Sequence, residues 1–593
     1  MMSENIEYAE EIITKWDVDA TTIPPLFTQE NRKEAKKFVK SVTDLQSAMK
    51  FYVKENPSSE MIIRAQNLMQ SAMKRLEKEF HSILKTNTKT ILHPESVSLR
   101  LSNYRASTST TSSRTSFSDF DNEASSSEDE NEVPEVSEVV MTDLKVIADC
   151  MINSGYGKEC VRIYKIIRKS IIDETLYYLG VENVSSSQFQ KMGWDVLEGK
   201  VKKWLTAVKT AVKTLFHGER ILCDHVFSAS DSIRESCFAE ISRDNALTLL
   251  GFAENLAKCK KILSPEKMFR FLDIYDAISE LWVDIEIIFS FDSLSVVKSQ
   301  AVTSLLKLGE AVRTMLSQFE SAIEKDSPKT TVPGGGIHPL TRYVMNYLVF
   351  LADYSGTLAD IVADWPVPVH APLPVSYFSS PTSEDGVSDY SPASAIAVRL
   401  AWIILMLLCK LDGKAGLYKD HVAHSYLFLA NNLNYVVSKV KSSNLMLLMG
   451  SDWISQRESK VKQYSTKYER VGWAKVLTSL PDDPTAEISF PEMREAFRKF
   501  NSGFEEAYRI QSSWVIPDSK LRDQIRVSLS KKIVPAYREF YEKHRNGIRD
   551  ESIVRFAPED WENYLSDLFY ENCEGFGSSR ATSYRISSPS VSH

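Results

Sequence analysis

The sequence predicts an all-α protein, and two observations favour that fold class. Glycine and proline, the residues that most often interrupt helices, number only 21 and 22 in a chain of 593 residues. Apolar residues recur every three or four positions over long stretches, the spacing that places them on one helical face. A chain of this length buries a large core either as several domains or as one solenoid-like stack, and length does not choose between them.

Residues 1–101 are predicted to form a helical hairpin or coiled-coil region. One apolar seam, with alternating spacings of three and four, comprises Ala35, Phe38, Val42, Leu45, Met49 and Tyr52. After a turn signal at residues 56–59, a second seam comprises Ile62, Ala65, Met69, Ala72, Leu76, Phe80 and Ile83. Such seams occur in helix pairs packed within one fold and on surfaces reserved for another protein chain, and spacing does not separate the two.

Three segments are predicted to lie outside the helical bundles. Residues 102–140 pass from a Ser/Thr-rich stretch into an acidic one, with too few apolar residues to offset the entropy of ordering, and are expected to form a disordered linker. Residues 365–394 contain six prolines and are expected to form a loop, and the Ser-rich residues 575–593 a disordered tail. Helical periodicity dominates the segments between them, so residues 141–364 and 395–574 are predicted to be middle and carboxy-terminal helical bundles.

The sequence carries no signal for secretion or for crossing a membrane. The amino end is acidic and lacks a basic segment followed by an apolar one. The longest apolar run, Leu400–Cys409, is about half the roughly 20 residues that span a bilayer, and we expect it to be a buried core helix. The seven cysteines are scattered, without a Cys-x-x-Cys pair, which favours free buried thiols in a reducing compartment. A cytosolic protein is therefore expected.

Motifs for catalysis or metal binding are weak. The triplet Gly334-Gly335-Gly336 lacks the Lys-Ser/Thr of a phosphate-binding loop and is interpreted as a hinge between helices. His421 and His424 share a helical spacing, but no further ligand completes a metal set nearby, so a solvated or core pair is favoured. We predict a protein that is not an enzyme and holds no cofactor or metal.

Positive charge is concentrated near the carboxy end. Residues 520–555 contain ten basic and five acidic residues, whereas the whole chain has a net charge of −8. Lys531, Arg538 and Arg545 are spaced by sevens and fall near one line of a helix, which Pro535 is expected to kink. The apolar residues predicted for the opposite face are Ile533, Tyr537, Phe540 and Tyr541.

Charge alone leaves two interpretations of this basic helix open. A solvated helix face is about as well supported as a surface that binds anionic lipid. Binding to such a lipid would contribute about 1 kcal/mol for each basic residue near the bilayer. Nucleic acid is disfavoured because the interleaved aromatic residues have the spacing of core residues and no recognition module is present.

Several ordered, collinear stretches resemble one known family. They are Trp514–Arg538 (WVIPDSKLRDQIRVSLSKKIVPAYR), the following Ala557–Asp560 and Asp567–Phe569, and further upstream Asp143–Cys160, Gly336–Tyr354 and Leu407–Lys441. Over most of its length, from about Ala9 to Phe569, the chain resembles the plant form of the seventy-kilodalton subunit of the exocyst. The resemblance implies an elongated rod of consecutively stacked helix bundles, similar to cullin repeats.

The resemblance also implies a function and a set of partners. The expected function is the tethering of secretory vesicles to the plasma membrane in exocytosis, from a cytoplasmic location peripheral to the inner face of that membrane and to the vesicles. The implied partners are other exocyst subunits, the anionic phospholipid phosphatidylinositol bisphosphate, and small GTPases of the Rho or Rab type, with no nucleic acid. Carried over residue by residue, the phosphoinositide-binding surface comprises Lys531, Lys532, Arg538, Lys543, Arg545, Arg549 and Arg555.

Two features depart from the family pattern. The chain begins almost directly at Glu10-Glu11-Ile12-Ile13, without the longer amino-terminal helix of many members. This departure favours an alternative function, a helical adaptor that has diverged from the exocyst and serves autophagy or immune-related trafficking. Ala557 stands where the family usually has serine before Pro-Glu-Asp, which removes a helix-capping acceptor worth about 1 kcal/mol.

Overall fold

The computed structural model describes residues 2–16, 24–55, 60–92, 133–184, 186–327, 330–365, 392–419, 421–481, 483, 487–545 and 556–569. These residues form helices, turns and short connections, and no β-strand occurs among them. The predicted all-α fold class is confirmed. The chain divides into two compact units, residues 1–315 and 316–593.

The first unit contains the amino-terminal helices. They are α1 Met2–Lys15, α2 Arg32–Glu55, α3 Glu60–Leu92, α4 Val133–Asn153, α5 Gly157–Tyr178, α6 Ser186–Lys191, α7 Trp194–Thr210, α8 His217–Val226, α9 Asp231–Ala257, α10 Met268–Glu280, α11 Trp282–Ile288 and α12 Ser295–Lys325, the last of which extends past residue 315. A wide π turn, Ala211–Phe216, joins α7 to α8.

The second unit contains the helices that follow. They are α13 Pro339–Ala352, α14 Ser355–Val362, α15 Pro392–Ala415, α16 Val422–Lys441, α17 Leu445–Met449, α18 Ser451–Gly472, α19 Ala474–Leu477, α20 Phe490–Gln511, α21 Ser519–His544 and α22 Pro558–Ser566.

The two amino-terminal seams are packed inside the first unit. Helix α2 packs on α1 and α3, and α3 also packs on α4 and α5. Phe38, Val42 and Leu45 of α2 are fully buried, as are Leu76 and Phe80 of α3. The structure therefore favours the packed helix pair over a seam reserved for another chain.

The ends of the seams differ from the prediction. Met49, Tyr52 and Ile83 are only half-buried, and Ala48 and Leu84 are buried instead. A straight α-helix has 3.6 residues per turn, so a strict repeat of seven drifts by about 20° per repeat. The buried positions shift to a neighbouring residue for this reason.

Two helices begin inside segments that were predicted to be irregular. Helix α4 starts at Val133, within the predicted linker 102–140, and α15 starts at Pro392, within the predicted loop 365–394. In both, a proline occupies one of the first two helical positions, where its missing N–H costs nothing. Acidic residues after Val133 also favour a helix amino end through the helix dipole. Apart from Trp365, the rest of the linker and loop and the predicted tail lie outside the described residues.

The apolar run Leu400–Cys409 lies in α15 and forms a core helix, as predicted. Leu400, Ile403, Ile404 and Leu407 are each no more than 1% exposed. Across the described part of the chain, no helix combines the length and the apolar character needed to cross a bilayer.

The cysteines in the first unit are buried thiols, as predicted. Burial raises the pKa of Cys150 to about 11 and that of Cys160 to about 12, so both are protonated at neutral pH. In the second unit Cys409 is exposed, which corrects the prediction for that residue. Cys573 lies outside the described residues.

The glycine triplet forms a turn that is held by hydrogen bonds, which disfavours its interpretation as a hinge. Gly334 and Gly335 have φ values of 65° and 70°, in the left-handed region that favours glycine. The Gly334 carbonyl accepts a hydrogen bond from the Val515 N–H at 2.8 Å. The Asn431 amide nitrogen donates to the Gly335 and Val515 carbonyls, at 2.8 Å each. These bonds connect the triplet to α16 and to the segment before α21.

His424 closes this turn from the α16 side. Its ring stacks on the Trp514 indole at a centroid separation of 4.4 Å and an interplanar angle of 8°. Burial lowers the pKa of His424 to about 4, against the opposing effect of the Gly334 carbonyl and with a further lowering by His421. The imidazole is therefore neutral in the folded chain at neutral pH.

This histidine makes folding stability depend on pH. Below about pH 6.5 the unfolded chain binds a proton at His424 and the folded chain does not. The contribution of His424 to the free energy of unfolding is therefore complete above that pH and is lost as the pH falls toward 4. Allowing for partial solvent screening, we expect a total loss of about 2 kcal/mol, of which about half falls between pH 7 and pH 5. Urea unfolding of the chain and of a His424→Gln variant between pH 7 and pH 5, where most carboxylates stay ionised, checks this. Equal pH slopes for the two proteins would contradict it.

Candidate functional site

Helix α21 positions the basic residues that the sequence singled out. It begins after Asp518, whose Oδ1 accepts a hydrogen bond from the Leu521 N–H at 2.7 Å and caps the amino end. It then continues through Pro535 to His544. Pro535 lies on the exposed side, and the carbonyl of Lys531, four residues earlier, loses its usual donor there.

An aromatic core holds the opposite side of α21. Tyr537 stacks on Phe500 of α20 at 4.3 Å, and its hydroxyl donates to the Phe556 carbonyl at 2.9 Å. Trp561 of α22 is 1% exposed and lies 4.1 Å from the Phe504 ring. The predicted apolar face is confirmed: Ile533, Tyr537 and Phe540 are buried, and Tyr541 is half-buried.

The cap of α22 differs from the family pattern as expected from Ala557. The alanine offers no side-chain acceptor, but the Asp560 carboxylate accepts from the Ala557 N–H at 2.9 Å. One half of a capping box therefore remains.

Lys531, Arg538 and Arg545 lie on one exposed line of α21, and we call them the α21 stripe. Fourteen residues separate the first from the last, about 21 Å along the helix axis. Lys531 and Arg545 are exposed and Arg538 is about half exposed. The Arg538 guanidinium lies 3.7 Å from the exposed Glu559 carboxylate, and that of Arg545 lies over the Tyr541 ring at 5.8 Å.

One further cation lies on the same line and is missing from the set that the family resemblance implies. Lys520 is exposed and precedes Lys531 by eleven residues, close to three full helical turns. The spacing of eleven is the signal that could have found it. Glu542, between Arg538 and Arg545, is an acidic residue on this line.

The structure sets Lys532 apart from the α21 stripe. Its ammonium nitrogen is 2.5 Å from Oε2 of Glu469, a residue of α18 that is 4% exposed. The Ser528 hydroxyl donates to the same oxygen at 2.9 Å. Lys532 thus neutralises a buried carboxylate and joins α21 to α18, which makes it a structural residue in this arrangement.

The other predicted ligands divide into two groups. Lys543 is exposed, about a third of the way around the helix from Lys531. Arg549 and Arg555 lie outside the described residues.

Two arginines counted in the basic region also have structural contacts. Arg526 donates to the Leu568 carbonyl, at 2.9 Å from its Nε, and Arg522 donates to the Ile516 carbonyl at 3.2 Å. These bonds attach the segment before α21 and the segment after α22 to α21. The positive charge available at the surface is therefore smaller than the composition suggests.

The α21 stripe presents charge on a convex helix rather than in a pocket. Exposed lysine and arginine side chains of this kind suit an extended anionic surface such as phosphate groups in a row. Among the described residues, no cluster of three or more His, Cys, Asp or Glu is placed to hold a metal ion.

Comparison with known proteins identifies the family. The family model for the C-terminal part of the exocyst complex protein Exo70 matches residues 202–567, and the model for the N-terminal part of the exocyst complex component Exo70 matches residues 5–86. The exocyst complex component EXO70B1 of Arabidopsis thaliana is 32% identical over 87% of this chain and 81% of its own length. EXO70E2 of the same plant is 32% identical over 94% of this chain and 85% of its own length.

A solved structure shows the same fold. The crystal structure of the S. cerevisiae exocyst component Exo70p aligns with a TM-score of 0.54 at 14% sequence identity, covering 95% of this chain and 99% of the yeast chain. The match to the family model spans more than half of the chain, and the plant relatives align over most of it. The chain belongs to the Exo70 family of exocyst subunits.

Proposed function

We propose that this chain is a non-catalytic subunit of the exocyst that takes part in tethering secretory vesicles to the plasma membrane. Membership of the Exo70 family supports this function. In this proposal the protein works in the cytoplasm, assembles with the other exocyst subunits and with small GTPases of the Rho or Rab type, and binds peripherally to the inner face of the membrane.

The lipid contact in this proposal is the α21 stripe, with Lys520 and Lys543 beside it. The single observation that carries it is the exposure of Lys531, Arg538 and Arg545 on one line about 21 Å long. Each basic residue near an anionic leaflet contributes about 1 kcal/mol, so three to five give reversible, salt-sensitive binding. Phosphatidylinositol bisphosphate, with several phosphate charges per headgroup, is the proposed ligand.

Charge reversal in the α21 stripe is expected to abolish vesicle binding. The triple variant Lys531→Glu/Arg538→Glu/Arg545→Glu removes three attractive charges and adds three repulsive ones. We expect at least about a hundredfold weaker partition onto vesicles containing phosphatidylinositol bisphosphate, corresponding to about 3 kcal/mol. Flotation of the purified full chain with vesicles of phosphatidylcholine, with and without this lipid, measures the effect.

A second lysine row supplies a matched control. Lys36, Lys40 and Lys50 are exposed on α2 in the first unit, and their reversal changes the net charge by the same amount. The control variant should float like the unaltered chain. An equal loss of flotation in both variants would indicate non-specific charge attraction. Equal flotation of the unaltered chain with and without the anionic lipid would overturn the lipid proposal.

Assembly with the exocyst requires a separate measurement. Protein recovered at native abundance with the tagged chain should contain the other exocyst subunits in stoichiometric amounts. Their absence would contradict the tethering function and favour the diverged adaptor.

A further inference from the structure

Helix α18 carries a second basic surface, on the side away from its buried residues. Positions 453–471 on this side fall within about 140° of arc on a helical projection. We call this surface the α18 face; its cations are Arg457, Lys460, Lys467 and Arg470, its aromatic residues are Trp453 and Tyr464, and its remaining members are Gln456, Gln463 and Val471. The face contains no carboxylate between its first and last residue.

Aromatic rings restrain three of these cations. Arg457 lies over the Trp453 ring at 5.4 Å and Lys460 over the Tyr464 ring at 5.3 Å. Lys467 lies over the ring of Tyr426, which comes from α16, at 5.6 Å. Such contacts are individually weak at exposed sites, but they limit the rotamers of long side chains. The cations are therefore partly ordered before any partner binds.

Three of the four cations on this face have no carboxylate partner among the described residues. Within the part of the chain that the structure describes, Lys460, Lys467 and Arg470 are exposed and form no ion pair. Asp452 precedes the face by one residue, and Asp412 of α15 is close enough to Lys460 for their charges to interact. Burial raises the pKa of Asp412, and the Lys460 charge opposes that shift.

The α18 face and the α21 stripe point in different directions. Glu469 lies nine residues from Lys460, half a helical circumference away, and binds Lys532 of α21 on that opposite side. Helix α21 thus packs behind α18 with respect to the face. On α21, Ser528 and Lys532 lie about 80° around the helix from Lys531. We therefore expect a flat bilayer that contacts the α21 stripe to leave the α18 face free.

We propose that the α18 face is a docking site for an acidic segment of a partner protein. The distance from Arg457 to Arg470 is about 20 Å along the helix, which matches about six residues of extended peptide. Carboxylates at alternate positions of a peptide that crosses the face diagonally would meet these cations, three of which are restrained by a ring. Single-stranded nucleic acid fits less well, because the rings that would stack bases already hold the chain's own cations.

Peptide binding by the full chain tests the proposal. The probe is a fluorescently labelled octaglutamate peptide, with octaglutamine as the neutral reference, followed by fluorescence anisotropy. The variant Lys460→Gln/Lys467→Gln/Arg470→Gln should bind octaglutamate at least about tenfold more weakly, since it removes three exposed ion pairs that each change affinity about twofold. The variant Tyr426→Leu keeps every charge but frees Lys467, and a two- to fivefold weaker affinity is expected, of the order of one exposed cation–π contact.

Controls separate this site from general charge attraction and from the lipid surface. The variant Lys36→Gln/Lys40→Gln/Lys50→Gln should bind octaglutamate like the unaltered chain, and so should the charge-reversed α21 stripe variant. Equal weakening in the α2 control, or equal binding of octaglutamine, would overturn the proposal. Loss of binding to oligouridylate or to phosphatidylserine vesicles in the α18 variant, with octaglutamate binding unchanged, would assign the face to nucleic acid or membrane instead.

Discussion

Replacing Gly335 with alanine is expected to destabilise the second unit by about 3–4 kcal/mol. The residue has a φ of 70°, which costs a non-glycine residue about 1–2 kcal/mol. A Cβ there would lie 2.6 Å from Nε2 of His424, whose ring is held against Trp514. Relief requires the stacked pair to separate, which adds a packing loss of similar size. Calorimetric unfolding of the full chain measures the shift in the transition of the second unit.

Gly336 provides the matched control in the same triplet. Its φ of −67° is open to any residue, and the nearest atoms to an added Cβ are 3.9 Å away. Gly336→Ala should therefore change stability by less than about 0.5 kcal/mol. Gly334→Ala should resemble Gly335→Ala, because its Cβ would meet the Val515 side chain at 2.8 Å and the Ser513 carbonyl at 3.0 Å. Similar stabilities for all three variants would contradict a turn held by these contacts and would favour the interpretation of the triplet as a hinge.

Replacing Lys532 with methionine is expected to cost about 1–2 kcal/mol of folding stability, because the pair joins a half-exposed lysine to a buried carboxylate. The substitution keeps the length of the side chain but removes the cation that lies 2.5 Å from Glu469. Glu469 is 4% exposed and would retain only the Ser528 hydroxyl as a described donor outside its own helix. A buried carboxylate without its counter-ion is strongly unfavourable. Urea unfolding monitored by circular dichroism measures the loss.

The neighbouring Lys531 is the matched control, since the two lysines differ by one position on the same helix. Lys531→Met should change stability by less than about 0.5 kcal/mol, because this side chain is exposed and forms no ion pair with the described residues, whereas Lys532 is paired with Glu469. Lys531→Met should also weaken flotation with anionic vesicles. Lys532→Met, tested at a temperature at which it remains folded, should weaken flotation far less. The reverse pattern would place Lys532 in the lipid surface and contradict its structural role.

Local periodicity explains what could be predicted at the candidate site. The spacing of Lys531, Arg538 and Arg545 by sevens places them on one line of any α-helix, whatever packs against it. The same rule places Ile533, Tyr537 and Phe540 on the other side. Both predictions needed only the helix repeat, and the structure agrees with both.

Long-range contacts explain what could not be predicted. Lys532 has the same local sequence context as Lys531, and its partner Glu469 lies 63 residues away. The glycine triplet shows the same limit: a motif of three glycines is typical of a flexible segment, but Asn431 lies 96 residues beyond the carbonyl of Gly335 that it holds. Neither of these two contacts can be predicted from the local sequence.

The sequence by itself determined the all-α class, the apolar faces of the main helices and the basic line on α21, because these depend on residue type and a repeat of 3.6. Tertiary structure alone decided which of the available cations are paired with a carboxylate or a carbonyl, that the amino-terminal seams are filled within the first unit, and that hydrogen bonds hold the glycine turn. Those outcomes depend on which distant helix supplies a carboxylate, an apolar face or an amide donor, and burial of an unpaired polar group is too costly for the choice to be left open.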